Sequence, residues 1–147
     1  MPRYFRLEEA TRLLTRVAPL IGQAVALKKA HDAAEEALQA INRKVAMSGG
    51  MILDRRQLLE QRSQRQTTAQ QLNEVLGEVE AIGCHVKDLD MGLIDFPSLY
   101  RGDEVCLCWR LGEKSIDFWH GTHEGFRGRK PIDADFLQHH TGGEAEV

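Results

Sequence analysis

The sequence predicts an α+β protein: a long antiparallel helical hairpin, coiled-coil-like, followed by a small antiparallel β-sheet of two hairpins. Three observations carry that reading. An unbroken heptad spacing runs through the first third of the chain, a second helical stretch follows a double glycine, and the hydrophobic period changes to two at Cys84. The 147 residues are read as one domain, with 6–83 as the helical arm, 84–132 as the sheet and 133–147 as a weakly patterned tail.

The first helix is predicted from Leu13, Val17, Leu20, Ala24, Leu27, His31, Ala34, Leu38, Ile41 and Val45, whose spacing alternates between four and three. Glu8 and Glu9 favour the positive end of the helix dipole. Pro19 removes a backbone donor and is expected to kink or restart the helix. Gly49 and Gly50 mark the stop. A second helix should start at the N-cap Asp54, run to Ile82 and end at Gly83. Folding back around the double glycine pairs residues whose numbers sum to about 100. That sets Glu35 near Arg62 or Arg65, where arginines at seam positions should snorkel and pair with acids.

"CHVKDLDMGLIDFPS" reads as a strand, a turn at Asp90-Met91-Gly92 and a strand ended by Pro97. "EVCLCWRLGEKSIDFW" reads as a second hairpin turning at Gly112-Glu113. A two-residue loop there would set Trp109 opposite Ile116, Leu107 opposite Phe118 and Val105 opposite His120. His120 would then share the apolar face, and Cys106, Cys108, Asp117 and Trp119 the other.

Hydrophobic residues make up 42% of the chain, charged residues 28%, and the net charge is −3. That balance fits a globular protein and disfavours a dedicated nucleic-acid binder. No apolar run is long enough to span a membrane, and the first residues show no apolar signal-peptide core. Three cysteines without a disulfide pattern point to a reduced, cytoplasmic protein.

Four groups of residues bear on function. Asp88, Asp90, Asp95 and His120, with His123 nearby, offer the carboxylate and imidazole ligands that a divalent metal would use, although no known zinc spacing is present. Arg127, Arg129 and Lys130, spaced by glycine in "GFRGRKP", could hold a phosphate or carboxylate. Arg43, Lys44, Arg55, Arg56, Arg62 and Arg65 make the hairpin tip basic, which would allow an RNA contact, but no aromatic is interleaved there for base stacking. Leu13, Val17, Leu20, Leu27, His31, Leu38 and Ile41 form the interaction seam of an arm too long for so small a sheet to cover. No catalytic motif is present, neither a Gly-x-Ser-x-Gly elbow nor a helical His-Glu-x-x-His.

The blocks "RYFRLEEATRLL", "GCHVKDLDMGLIDFPS", "VCLCWRLGE", "IDFWH" and "GFRGRKPI" make the chain, from about Tyr4 to Ile132, resemble the uncharacterised bacterial family known as domain of unknown function 2203. The resemblance implies a small cytosolic bacterial protein with Asp88, Asp90, Asp95, Pro97, Trp109, Trp119, His120, Gly125, Gly128 and Arg129 in its recurring blocks. It supplies no catalytic residues, because the family has no established activity. Family members often carry Ser or Thr where Arg6 stands, and a proline near Thr15 rather than at Pro19. His123 falls in a variable stretch, which leaves His120 the better ligand.

The first expectation is therefore an interaction or oligomerisation module, with self-association or a protein partner through the arm. The alternative is a small metal- or anion-dependent enzyme beside the sheet. RNA contact by the tip ranks below both.

Overall fold

A computed structural model describes residues 3–50 and 54–144. Strand β1 (Arg3–Tyr4) leads into helix α1 (Leu7–Met47), whose 41 residues span about 60 Å at 1.5 Å each. Arg6 has extended backbone at the N-cap but makes no side-chain cap. The Leu7 N–H donates instead to Nε2 of His140, far away in sequence, at 3.0 Å. Pro19 lies on an exposed part of α1, and the helix runs through it, so the expected restart does not occur. Facing solvent, the carbonyl that Pro19 leaves unpaired can be satisfied by water.

Helix α2 (Arg55–Ile82) has the predicted ends. The Asp54 carboxylate accepts from the Gln57 N–H at 3.1 Å, and Gly83 closes the helix at φ 108°, where a side chain would be strained. The two helices pack as an antiparallel hairpin, and Arg65 pairs with Glu35 at 3.1 Å, the juxtaposition that helix geometry requires. The end of the expected "MSGGM" turn, Met51, lies outside the described residues, as do the last three residues of the tail.

The seam differs from the expected one. Towards the tip, Ala34, Leu38 and Ile41 are buried as the heptad requires. Towards the base the buried set is Ala10, Leu14, Val17, Ile21 and Ala24, while Leu13, Leu20 and Leu27 are only partly covered. The physical reason is a second partner. The base of α1 packs on the sheet as well as on α2, which turns its most buried stripe away from a pure helix-pair seam.

Strands β2 (His85–Asp88), β3 (Leu93–Tyr100), β4 (Asp103–Arg110), β5 (Phe118–Gly121) and β6 (Lys130–Pro131) lie in that order in one antiparallel sheet. After β6 come helix α3 (Ala134–His139), β7 (His140–Thr141), which pairs with β3, and β8 (Gly143–Glu144), which pairs with β1. The weakly patterned tail is thus built into the fold. Phe136 of α3 is fully buried and stacks between Trp119 and His140.

Pro97 does not end its strand. Its carbonyl points away from β4 and accepts from the Phe5 N–H at 2.7 Å, so the missing proline donor also lies on the side away from the β3–β4 ladder. Gly92 closes the β2–β3 turn at φ 66°, where a Cβ would meet the Leu111 Cβ at 2.6 Å.

The β4–β5 register corrects the sequence reading. Leu107 pairs with Trp119, Cys106 with His120 and Cys108 with Phe118, one residue away from the expected partners. The connection is the seven-residue stretch 111–117 rather than a two-residue turn. An odd connection shifts the pairing by one and exchanges the faces of β5. The face towards the helices therefore holds Ile94, Phe96, Val105, Leu107, Trp109 and Trp119, which join Phe5, Leu14, Val17 and Ile21 in the core.

Candidate functional site

The opposite face of the sheet gathers Asp95, Cys106, Cys108, Phe118 and His120. Cys108 sits beside Asp95 on one side and Phe118 on the other, and Cys106 sits between Pro97 and His120. Asp95 on β3 and His120 on β5 are separated by β4, a backbone gap of roughly 10 Å at ordinary strand spacing. Their side chains close it by leaning over β4, where cysteine is small enough to let them pass. His120 Nε2 and Asp95 Oδ1 lie 2.9 Å apart, and both side chains are about 1% exposed.

The hydrogen-bond partners fix the ring. His120 Nδ1 is 2.8 Å from the Gly121 carbonyl, which can only accept, so Nδ1 carries a hydrogen. Nε2 faces a carboxylate, which favours a hydrogen there too. The Asp95 carboxylate, joined by Cys108 and the Gly121 carbonyl, outweighs burial and raises the His120 pKa to about 10. The contact therefore favours the protonated imidazole beside Asp95. Asp95 Oδ2 is buried and has no hydrogen-bond partner among the described residues. Beside the pair, burial and then the Asp95 charge push the Cys106 thiol up to about 12.

Among the described residues, Asp95, Cys106 and His120 form a group whose potential ligand atoms all lie within 4.8 Å of one another. His120 also forms part of the wall of a cavity of about 260 Å³, together with Lys87, Asp88, Leu93, Glu124 and Phe126.

The other expected metal ligands do not join this centre. The Asp88 carboxylate, exposed, accepts from the Met91 N–H at 3.1 Å and so serves the β2–β3 turn. Asp90 is exposed and pairs at 2.8 Å with Lys28, tying that turn to α1. His123 is exposed. The sequence contains no Cys-x-x-Cys knuckle to mark Cys106 as a ligand, and a two-residue loop would set His120 on the core face with Val105, away from Cys106. The legible signals were a carboxylate inside the apolar run "GLIDFP" and a Cys-x-Cys strand that sends both thiols to one face.

The basic trio does not converge either. Arg129 donates to Glu113 at 2.6 Å and to the Cys108 carbonyl at 3.3 Å, and its guanidinium lies 4.2 Å from the Phe118 ring centre. Lys130 pairs with Glu124 at 2.6 Å, which with the Gly121 N–H holds that carboxyl below its ordinary range. Arg127 is exposed in the short 3₁₀ turn Phe126–Gly128. Arg129 and Lys130 thus hold the segment after β5 against the sheet. Of the interaction seam, Val17, Leu38 and Ile41 are buried within the chain, whereas Leu13, Leu20, Leu27 and His31 are partly exposed.

Among the described residues, no helix is long and apolar enough to cross a membrane. The model of a family described as an uncharacterized conserved protein, DUF2203, matches residues 3–132. Neither the curated proteins nor the solved structures gave a match.

Proposed function

The chain belongs to the DUF2203 family of uncharacterized conserved proteins, and from that membership, which carries no activity, we propose a protein-interaction module that self-associates through its helical arm. One observation carries the proposal: Leu13, Leu20 and Leu27, seven residues apart along α1, stay partly exposed, although Leu13 and Leu20 also rest against the core. Leu13 and Leu20 line a surface groove of about 390 Å³ with Arg3, Arg16, Glu78 and Ile82. A leucine stripe at heptad spacing is the surface that one helix offers another. A two-fold axis near Leu20 would set Leu13 of one copy beside Leu27 of the next, an isologous contact. It would also send the two basic arm tips to opposite ends, avoiding like-charge repulsion.

The test is light scattering of the full chain over a wide concentration range. A dimer that becomes monomeric on Leu20→Glu, with unchanged helical circular dichroism, is the expected result. A wild-type monomer at every concentration overturns it.

A second reading has its own support at the tip. Met47 and Leu59 are 88% and 63% exposed, amid Arg43, Lys44, Arg55 and Arg62. Exposed apolar side chains ringed by arginine and lysine suit an acidic protein surface. Nucleic acid suits them less, because no aromatic occurs between Phe5 and Phe96 to stack on a base. The three cysteines are buried and unpaired, which supports a reducing, cytoplasmic setting. Small-molecule anion chemistry finds less support, since Glu113 and Glu124 already neutralise Arg129 and Lys130.

A further inference from the structure

We propose that Asp95, Cys106 and His120 form a binding site for a borderline divalent transition ion of the zinc class. This goes beyond the arm's proposed role and is independent of it. Four observations support the site.

The donors are the right ones. A thiolate, an imidazole nitrogen and a carboxylate oxygen together suit zinc or cobalt better than magnesium or calcium, which take oxygen alone.

The spacing is close to what the ion needs. Tetrahedral arms of about 2.0–2.3 Å place ligand atoms about 3.3–3.8 Å apart. His120 Nε2 and Asp95 Oδ1 lie 2.9 Å apart, and all three donors lie within 4.8 Å. Side-chain rotations that move the donor atoms by up to about 1 Å close the set. No strand has to move.

The imidazole is already aimed. The Gly121 carbonyl accepts from Nδ1–H at 2.8 Å and leaves Nε2 as the nitrogen that faces Asp95. A backbone carbonyl holding the far nitrogen of a ligating histidine is the usual outer support of a metal site.

The carboxylate has capacity to spare. Asp95 is fully buried, yet its Oδ2 has no hydrogen-bond partner among the described residues. A buried acceptor left alone is costly, and a bound cation or its water would remove that cost.

Charge balance explains how so dry a place accepts a dication. With the ion bound, one carboxylate and one thiolate offset its two positive charges, and the imidazole ligates as the neutral ring. A buried site that is neutral avoids the large penalty for burying net charge. Three protein ligands leave a fourth position for water or a ligand, the arrangement of an open site rather than a closed structural one. The cavity whose wall includes His120 lies beside the site, although neither Asp95 nor Cys106 lines it.

Cobalt titration of the full-length, chelator-stripped protein tests the proposal, because a thiolate–cobalt bond produces a charge-transfer band that oxygen and nitrogen ligands do not. The expected result is one cobalt per chain with that band, displaced by one equivalent of zinc. Cys106→Ser should abolish the band with circular dichroism unchanged, and Cys84→Ser, buried away from the site, should keep it. If Cys106→Ser does not fold, the isosteric Asp95→Asn carries the test through zinc affinity. A fall of at least about tenfold, the minimum usual even for outer supports, upholds the site. Folded wild-type protein that takes up neither ion overturns it, as does a band that survives Cys106→Ser or a zinc affinity that Asp95→Asn leaves unchanged.

Discussion

Asp95 and His120 make a 2.9 Å contact across an intervening strand, on the side of the sheet turned away from the helices. Two charges removed from water hold each other only while both are present, and breaking a buried pair from one side typically costs about 3–5 kcal/mol. The pair therefore contributes to how stability responds to acid and base.

The response to pH has a definite sign. His120 rises from 6.5 to about 10 in the folded chain, so the folded state holds a proton that the unfolded state gives up. Its contribution to stability is complete below about 6.5 and disappears as pH climbs through about 10. The thermal midpoint of chelator-treated protein should fall between pH 7 and pH 10, and Asp95→Asn should flatten that slope. Equal slopes for wild type and variant would refute the assignment of the proton to this pair.

His140 is expected to matter for a helix that begins far from it in sequence. It caps α1 through the Leu7 N–H, while its other nitrogen hydrogen-bonds to the Phe136 carbonyl at 3.0 Å. Loss of a cap costs about 1 kcal/mol. His140→Ala should lose at least that in urea unfolding and should speed amide exchange at Leu7. Exchange there at the wild-type rate would show that solvent serves equally well.

Pro19 offers the reverse effect. It occupies an exposed site in the interior of α1, where proline is about 3 kcal/mol worse than alanine in a simple helix. Pro19→Ala should stabilise the protein by roughly 1–3 kcal/mol, measured by urea unfolding. A neutral or negative result would mean that the backbone conformation fixed by the proline offsets the lost helix hydrogen bond.

The helical arm was legible because its signals are local. Asp54 and Gly83 announce the ends of α2 by their chemistry, and the pairing of Glu35 with Arg65 follows from helix rise alone. The sheet was legible in its strands but not in its register, since nothing in "LGEKSID" distinguishes a long connection from a tight turn. That single ambiguity placed His120 against Val105 and hid its approach to Asp95 and Cys106. The tail was missed because Phe136 and His140 are isolated in a polar stretch, and only tertiary contact reveals their burial. The shift of the α1 seam from Leu13 and Leu20 to Leu14 and Ile21 had the same origin, a second packing partner that the heptad count does not contain.

The stretch 111–117 has a consequence for how the family can vary. Point substitutions at its exposed positions, such as Lys114 and Asp117, should be well tolerated, whereas Ile116 is buried in the core and Glu113 holds Arg129. Loss or gain of one residue is another matter. If β5 followed the altered count, Trp119 would stand beside Asp95 and His120 would turn into the core. Selection that preserves the buried pair should therefore record itself in this connection as constant length more than as constant composition.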